Sequence, residues 1–312
     1  MSQFDPTLFA DVADAIGLPS PAFVEKDYYA VQLLKTISEL ELPEGKLIFA
    51  GGTCLTKAHL QTYRMSEDLD LKFVPDGDFL NLSDSQKRKY RSDLGSTLIN
   101  AIENTKTFKL VHKESMSEGR YRCLSVSYPK QYNHISLRPE LKLELTEIIL
   151  QHSSPIEASI GSIYSIVNKQ PHEIPTLTCD PIEIILVEKF IGLLRRTAEV
   201  NRGYSENDDE ALVRHVYDLY LIKSQPREFN NIDYIFKKIL EQDVSQFGIR
   251  HIQFTNDPRA ELLYGLKLLI NDVKYKNRYE SFLGPLVYNA TPPSWEMGIE
   301  SLQNLANILM RN

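Results

Sequence analysis

Hydrophobic and polar positions follow two different periods along this chain. Up to about residue 170, helical segments are interleaved with short apolar or alternating segments, a pattern typical of strands packed against helices. Beyond residue 180 the period is helical. We therefore expect an α+β or α/β fold, with a mixed sheet flanked by helices and then a mainly helical C-terminal lobe. The predicted domains are residues 1–172 and 173–312, joined by a linker at 171–175.

The same periods predict the individual elements. The predicted helices of the first domain are 6–16, 21–40, a short helix that carries Lys57, and a helix capped by Ser83 or Asp84 that runs to about Asn104. Its predicted strands are 47–50, 68–74, 108–113, 121–128, 141–150 and 160–167. Asp180 and Pro181 suit the N-cap and first turn of the next helix. The further predicted helices are 209–223, 230–242, 257–274 and 295–311.

Composition limits the classes of protein to which this chain can belong. Hydrophobic residues make up 42% of the 312 residues and charged residues 25%, as in soluble globular proteins. No apolar stretch reaches transmembrane length, and the polar start does not resemble a signal peptide. The three cysteines are scattered, without a Cys-x-x-Cys pair, which favours reduced thiols. We expect a cytoplasmic protein with no membrane partner.

A glycine turn follows the first predicted strand. Gly51 and Gly52 end an apolar run, and glycines there permit a sharp bend and the close approach of a ligand. Thr53 is a candidate N-cap for the following helix, whose N-terminal amides would attract an anion. Lys57, four residues later, would project from the same side and add a positive charge. Gly-Gly-Thr alone also fits an ordinary strand–turn–helix junction.

Two aspartates alternate with apolar residues about a dozen positions after this turn. In a strand, Asp68 and Asp70 share one face while Leu69 and Leu71 face the core. Two carboxylates about 7 Å apart along a strand can converge on Mg²⁺ or Mn²⁺, which prefer oxygen ligands. An isolated Asp-x-Asp is more often a solvated strand face, but the preceding glycine turn favours a metal and phosphate site.

These residues resemble a known signature. Gly51-Gly52-Thr53, Lys57 and Arg64-x-Ser66-x-Asp68-x-Asp70 look like the nucleotide site of polymerase-β-like nucleotidyltransferases, and more narrowly of AbiEii-type nucleotidyltransferase toxins from type IV toxin–antitoxin and abortive-infection systems. The resemblance extends, in the family's order, to Glu25-Lys26-Asp27-Tyr28-Tyr29, to Glu188-Lys189-Phe190 and to Arg214-x-x-Tyr217-Asp218-Leu219. The last ninety or so residues carry no such match.

The resemblance implies roles for individual residues. The implied nucleotide-binding residues are Gly51, Gly52, Thr53, Lys57, Arg64 and Ser66. The implied catalytic residues are Ser66, Asp68, Lys189 and Asp218, with Lys189 on a phosphate. Asp68 and Asp70 would be metal ligands, and Glu144, on an alternating segment, is the candidate third carboxylate. A cleft between the two lobes would bring Lys189 and Asp218 over the aspartate strand.

The resemblance also implies an activity. The chain would be a Mg²⁺- or Mn²⁺-dependent toxin that transfers a nucleoside monophosphate from an NTP to an acceptor, with the 3′ end of tRNA as the leading acceptor. A cognate antitoxin would be its protein partner.

Alternatives remain at this stage. The net charge of −7 opposes nucleic-acid binding, although Lys87–Arg91, Lys106/Lys109/Lys113 and Arg195-Arg196 form local basic clusters. Glu25 to Asp27 could be the polar face of a surface helix, and Arg214 with Asp218 a surface ion pair. The chain could instead attach AMP to protein hydroxyl groups, or be a catalytically silent nucleotide- or partner-binding module.

Overall fold

The computed structural model describes residues 7–42, 44–148 and 153–311. These residues divide into two compact units. Unit 1 comprises the described part of residues 1–61 and 65–180, and unit 2 comprises residues 62–64 and the described part of 181–312.

Unit 1 is built on one mixed sheet, in which the described residues form seven strands. They are β1 Gly45–Ala50, β2 Asp68–Pro75, β3 Lys109–Met116, β4 Tyr121–Ser127, β5 Leu141–Glu147, β6 Ile156–Ile160 and β7 Ile174–Cys179. Their order in the sheet is β3-β4-β5-β2-β1-β7-β6. β2 pairs with β1 in antiparallel and with β5 in parallel orientation, so the aspartate strand lies at the centre.

The helices of unit 1 flank this sheet. They are α1 Leu8–Ala15, α2 Pro21–Ser38, α3 Gly51–Cys54, α4 Gly77–Asn81, α5 Asp84–Asn104 and α6 Ile163–Val167. Ser83 caps α5 through a capping box with Gln86, as its sequence favours. The apolar positions of β2, Leu69, Leu71 and Phe73, are buried, as the alternating pattern predicts. The predicted mixed sheet with flanking helices is therefore confirmed.

Three predictions about the end of unit 1 are wrong. The predicted strand 160–167 is the end of β6 followed by α6, because Ser162 caps a helical turn there. The predicted linker 171–175 runs into β7, a strand of the sheet, so unit 1 extends to Asp180 rather than ending at 172. Asp180 does not cap the next helix, because its carboxylate binds Lys72 instead.

Unit 2 is helical. Its helices are α7 Ile182–Asn201, α8 Arg214–Lys223, α9 Ile232–Phe247, α10 Ile252–Asn256, α11 Pro258–Asn271, α12 Val273–Leu286 and α13 Trp295–Leu309. The predicted helix 257–274 ends at Asn271, since Asp272 caps the separate helix α12. Residues 62–64 join this unit through a bridge between Arg64 and Val287.

In the described part of the chain, no helix combines the length and hydrophobicity needed to cross a lipid bilayer.

Candidate active site

The glycine turn packs directly against one of the two aspartates. β1 ends at Ala50, which lies opposite Asp70 in the sheet, and α3 begins at Gly51. Gly51 has a φ of +71°, and a Cβ at this position would overlap the Asp70 carboxylate. Only glycine provides both the left-handed backbone and this close approach without strain. The turn and the acid therefore lie together, as the sequence predicted.

Thr53 ties this turn to the start of β2. It does not cap α3, since Ala50 occupies the N-cap position. The buried Thr53 hydroxyl instead donates to the carbonyl oxygen of Asp68 at 2.5 Å and lies 2.9 Å from the Ser66 hydroxyl. Ser66 precedes β2, so its position is set by this contact rather than by the strand. Thr53, Ser66 and Asp68 therefore occupy one small region of unit 1.

Asp68 and Asp70 lie on the same face of β2, and both are partly exposed. In the neighbouring strand β5, Lys142 lies opposite Asp68 and Glu144 lies opposite Asp70. The Glu144 carboxylate forms an ion pair with Lys142 and a hydrogen bond with the Tyr121 hydroxyl. Burial is the main cause that raises the pKa of Tyr121. Glu144 is thus in register with the aspartates but bound by other side chains.

The donor set at β2 suits a hard divalent cation. Mg²⁺ is commonly held by one or two carboxylates, with water and substrate phosphates supplying the other oxygens. Asp68 and Asp70 meet that requirement by their chemistry and shared face. Among the described residues, however, no three His, Cys, Asp or Glu side chains lie close enough together to hold a metal. Glu144 lies opposite Asp70 in the sheet, and its role as a third metal carboxylate stays a prediction.

Lys57 is held by an acidic partner from α2. Its Nζ lies 2.6 Å from one oxygen of Asp27, and it also donates to the carbonyl of Gly161 at 3.1 Å. The segment Leu55–His59 is a π-helical turn rather than a continuation of α3, and such turns are frequent at functional sites. Asp27 also accepts a hydrogen bond from the amide of Ile163. The Lys57 side chain, of which only 6% is exposed, is therefore fixed in direction.

The segment Glu25 to Asp27 is buried, so its interpretation as the polar face of a surface helix is wrong. Glu25 accepts hydrogen bonds from the amides of Gln131 and Tyr132, at 2.8 and 3.0 Å. Lys26 has no exposed surface and forms an ion pair with Glu67. Burial lowers the pKa of Lys26, and Glu67 opposes this shift. Glu25 and Lys26 therefore bind different segments of unit 1.

The sequence analysis missed two cations near the aspartates. Lys72, on the same face of β2, donates to Asp180 at 2.6 Å in a buried ion pair. Arg138, between β4 and β5, places a guanidinium nitrogen 2.6 Å from Asp68. In each of these ion pairs the two residues lie far apart in the sequence, and neither Lys72 nor Arg138 belongs to a motif. A local pattern therefore contains no signal for them.

Unit 2 contains a buried cluster of one acid and two bases. The Asp218 carboxylate accepts two hydrogen bonds from the Arg64 guanidinium, each at 2.6 Å, and lies 2.8 Å from Lys189 Nζ. All three side chains are nearly inaccessible to solvent. The interpretation of Asp218 as half of a surface ion pair is therefore wrong, and the sequence-predicted residues Arg64, Lys189 and Asp218 lie together.

The charges in this cluster shift each other's protonation. Burial alone would raise the pKa of Asp218, but Arg64 and Lys189 outweigh it and hold that pKa below its usual value. Burial lowers the pKa of Lys189, and Asp218 opposes this shift. Burial and the Lys189 charge lower the pKa of His215 well below its ordinary value, which keeps this imidazole neutral at pH 7.

Two of the three predicted basic clusters are partly neutralised by acidic partners. Arg91 is buried against Glu147, and Arg195 binds Asp243. Arg196 also pairs, with Asp209. The third cluster is exposed on and beside the edge strand β3; its members are Lys106, Lys109 and Lys113.

Two comparisons with known proteins found a match. The nucleotidyltransferase toxin MenT4 from Mycobacterium tuberculosis H37Rv has a similar structure, with a TM-score of 0.62 and 18% sequence identity over 98% of this chain and 90% of that chain. No curated protein matches the sequence significantly. The sequence profile described as "Nucleotidyl transferase AbiEii toxin, Type IV TA system" matches residues 32–301.

That match spans most of the chain, and the protein belongs to the AbiEii family of nucleotidyltransferase toxins from type IV toxin–antitoxin systems. The prediction of a nucleotidyltransferase is thereby confirmed.

Proposed function

We propose that this toxin transfers a nucleoside monophosphate from an NTP to the 3′ end of tRNA and depends on Mg²⁺ or Mn²⁺. The observation that carries the proposal is the packing of the Gly51 turn against the Asp70 carboxylate. A turn that can accept phosphates beside acids that can hold a divalent ion is what nucleotidyl transfer requires. The family supports the nucleotidyltransferase chemistry.

In the proposed reaction, a 3′ hydroxyl loses its proton to solvent and its oxygen forms a bond to the α-phosphorus, while the bond from that phosphorus to the bridging oxygen breaks to release pyrophosphate. Asp68 and Asp70 would hold the divalent ion, which supplies Lewis-acid stabilisation of the phosphate charge. The amides that follow Gly51 would bind phosphate oxygens, and the Ser66 hydroxyl would add a hydrogen bond. The contribution of these residues is chiefly positioning and charge stabilisation.

For Lys57, Lys189, Arg64 and Asp218 the proposal rests on the resemblance of their motifs. Lys57 would lie beside the phosphate turn, with Asp27 fixing its direction. Lys189 would supply a phosphate-binding charge, while Asp218 keeps its ammonium group and the Arg64 guanidinium oriented. We place the reaction in the cytoplasm, where NTPs and tRNA are available, and expect a cognate antitoxin to neutralise it.

A transfer assay tests the proposal. The purified chain is incubated with Mg²⁺ and each α-³²P-labelled NTP, together with total tRNA and lysate protein. We expect label on tRNA, removable by treatment that trims the 3′ end, and none with Asp68→Ala, which should retain the fold by circular dichroism. Label on protein would support attachment of AMP to hydroxyl side chains instead. Wild-type labelling by Asp68→Ala would reject the proposed site.

Growth provides an independent test of the toxin assignment. Expression of the wild-type chain without its antitoxin should arrest growth, and Lys189→Ala should relieve the arrest. Co-expression of the cognate antitoxin should also relieve it. Growth arrest that persists in both Asp68→Ala and Lys189→Ala would separate toxicity from the proposed chemistry.

A further inference from the structure

Arg138 contacts the first of the two aspartates. It lies in the connection between β4 and β5, and its Nη1 is 2.6 Å from Asp68 Oδ1. About half of the Arg138 side chain is exposed (47%), whereas the Asp68 side chain is 13% exposed. The guanidinium therefore contacts an acid that is mostly shielded from solvent, while about half of the arginine side chain is itself exposed.

The backbone of Arg138 is fixed much more firmly than its side chain. Its amide donates to Glu67 at 2.8 Å, and its carbonyl oxygen accepts a hydrogen bond from Lys26 at 2.5 Å. Lys26 is completely buried and also pairs with Glu67. Two consecutive acids thus hold Arg138, since Glu67 binds its backbone and Asp68 binds its side chain.

The start of the same connection is fixed by the neighbouring residue of α2. Glu25 accepts hydrogen bonds from the amides of Gln131 and Tyr132. Lys26 donates to the carbonyl oxygen of Arg138, seven residues after Gln131. The buried charges Glu25 and Lys26 therefore keep this connection close to Asp68. A half-exposed side chain on a fixed backbone can change its partner without movement of the loop.

Charge balance indicates what that second partner would be. A divalent cation on Asp68 would compete with the Arg138 guanidinium, which stays charged at all physiological pH values. A guanidinium displaced from Asp68 can bind another anion, since its planar set of donors matches phosphate oxygens in pairs. The triphosphate of an NTP would supply that anion, because Mg²⁺ is commonly held by carboxylates together with substrate phosphates.

We propose that Arg138 is a triphosphate-binding residue. Its guanidinium contacts Asp68 in this structure and moves to the substrate phosphates when a divalent cation binds that carboxylate. This inference rests on the proposed nucleotidyltransferase site. It predicts two opposite effects of one substitution. Removing the guanidinium weakens nucleotide binding, because a phosphate contact is lost, and strengthens metal binding without nucleotide, because a competitor for Asp68 is lost.

Direct binding measurements test both effects. Mn²⁺ binding is followed by electron paramagnetic resonance of the free ion, and binding of a non-hydrolysable α,β-methylene NTP with Mg²⁺ is followed by calorimetry. We expect Arg138→Gln to weaken nucleotide binding about tenfold or more and to tighten Mn²⁺ binding about twofold. Arg120→Gln, which removes an exposed arginine of the same unit, should change neither.

The alternatives are distinguishable. Nucleotide binding by Arg138→Gln equal to wild type would overturn the inference, as would weaker Mn²⁺ binding, which would make Arg138 only a support for Asp68. Arg138→Lys keeps the charge without the paired donors and should bind nucleotide with intermediate affinity; it carries the test if Arg138→Gln does not fold. A wild-type chain that binds no nucleotide would reject the proposed function itself.

Discussion

Arg64 and Asp218 are joined by two parallel hydrogen bonds of 2.6 Å, although 154 positions separate them in the sequence. Lys189 binds the same carboxylate at 2.8 Å, so a single buried acid balances two buried bases. Charge pairs removed from water tolerate loss of a partner poorly, because the remaining charge has no solvent to replace it. The cluster is therefore sensitive to which of its members is changed.

Asp218→Asn should destabilise the protein more than Lys189→Met. The first leaves two buried cations facing a neutral amide, which should cost about 3–5 kcal/mol in unfolding free energy. The second leaves the Arg64–Asp218 pair intact and should cost about 1–3 kcal/mol, the loss of one charged hydrogen bond. Urea denaturation followed by helix content measures both. Equal costs would show that the Arg64–Asp218 pair alone does not offset the loss of Lys189.

The stabilising effect of Asp218 should disappear in acid. Its pKa is lower in the folded state, so it stabilises the fold above the unfolded aspartate pKa of about 3.9 and loses this contribution as the pH falls toward the folded value. The difference in unfolding free energy between wild type and Asp218→Asn should therefore be largest near pH 6 and smaller at pH 3. Asp233→Asn, at an exposed acid of the same unit, is the control. A difference that does not vary with pH would contradict this linkage.

Gly51→Ala should cost more than Gly17→Ala. Both glycines have positive φ, so alanine at either position adds backbone strain of roughly 1–3 kcal/mol. At Gly17 a Cβ meets no atom within 4 Å, whereas at Gly51 it would overlap the Asp70 carboxylate. We expect Gly51→Ala alone to weaken Mn²⁺ binding and nucleotidyl transfer, since Asp70 must move. Equal effects of the two substitutions would remove the close approach as the reason for Gly51.

Asp70→Asn and Glu144→Gln should differ in metal binding. Glu144 is paired with Lys142 and the Tyr121 hydroxyl, whereas Asp70 shares the face of Asp68. We expect Asp70→Asn to weaken Mn²⁺ binding about tenfold or more and Glu144→Gln to change it less than about twofold. A loss of about tenfold with Glu144→Gln would make it the third metal carboxylate that the resemblance suggested.

Local sequence determined the parts of this protein that depend on neighbouring residues. The alternation in β2, the glycine turn and the capped helix α5 all follow from side-chain period and backbone preference, which act over a few positions. The shift of strand 160–167 into α6 shows the limit, because a short apolar run fits either structure until its tertiary neighbours are known.

Only the tertiary structure decided which charges are buried and what they bind. The ion pairs Lys26–Glu67, Arg138–Asp68 and Lys72–Asp180 join residues 41, 70 and 108 positions apart. From sequence alone, a charged residue on a helix or strand is predicted to be exposed to solvent, since most charged residues are exposed. Burial becomes favourable only when the folded chain brings an opposite charge or a backbone group within hydrogen-bonding distance, and that distance is set by packing across the whole sheet.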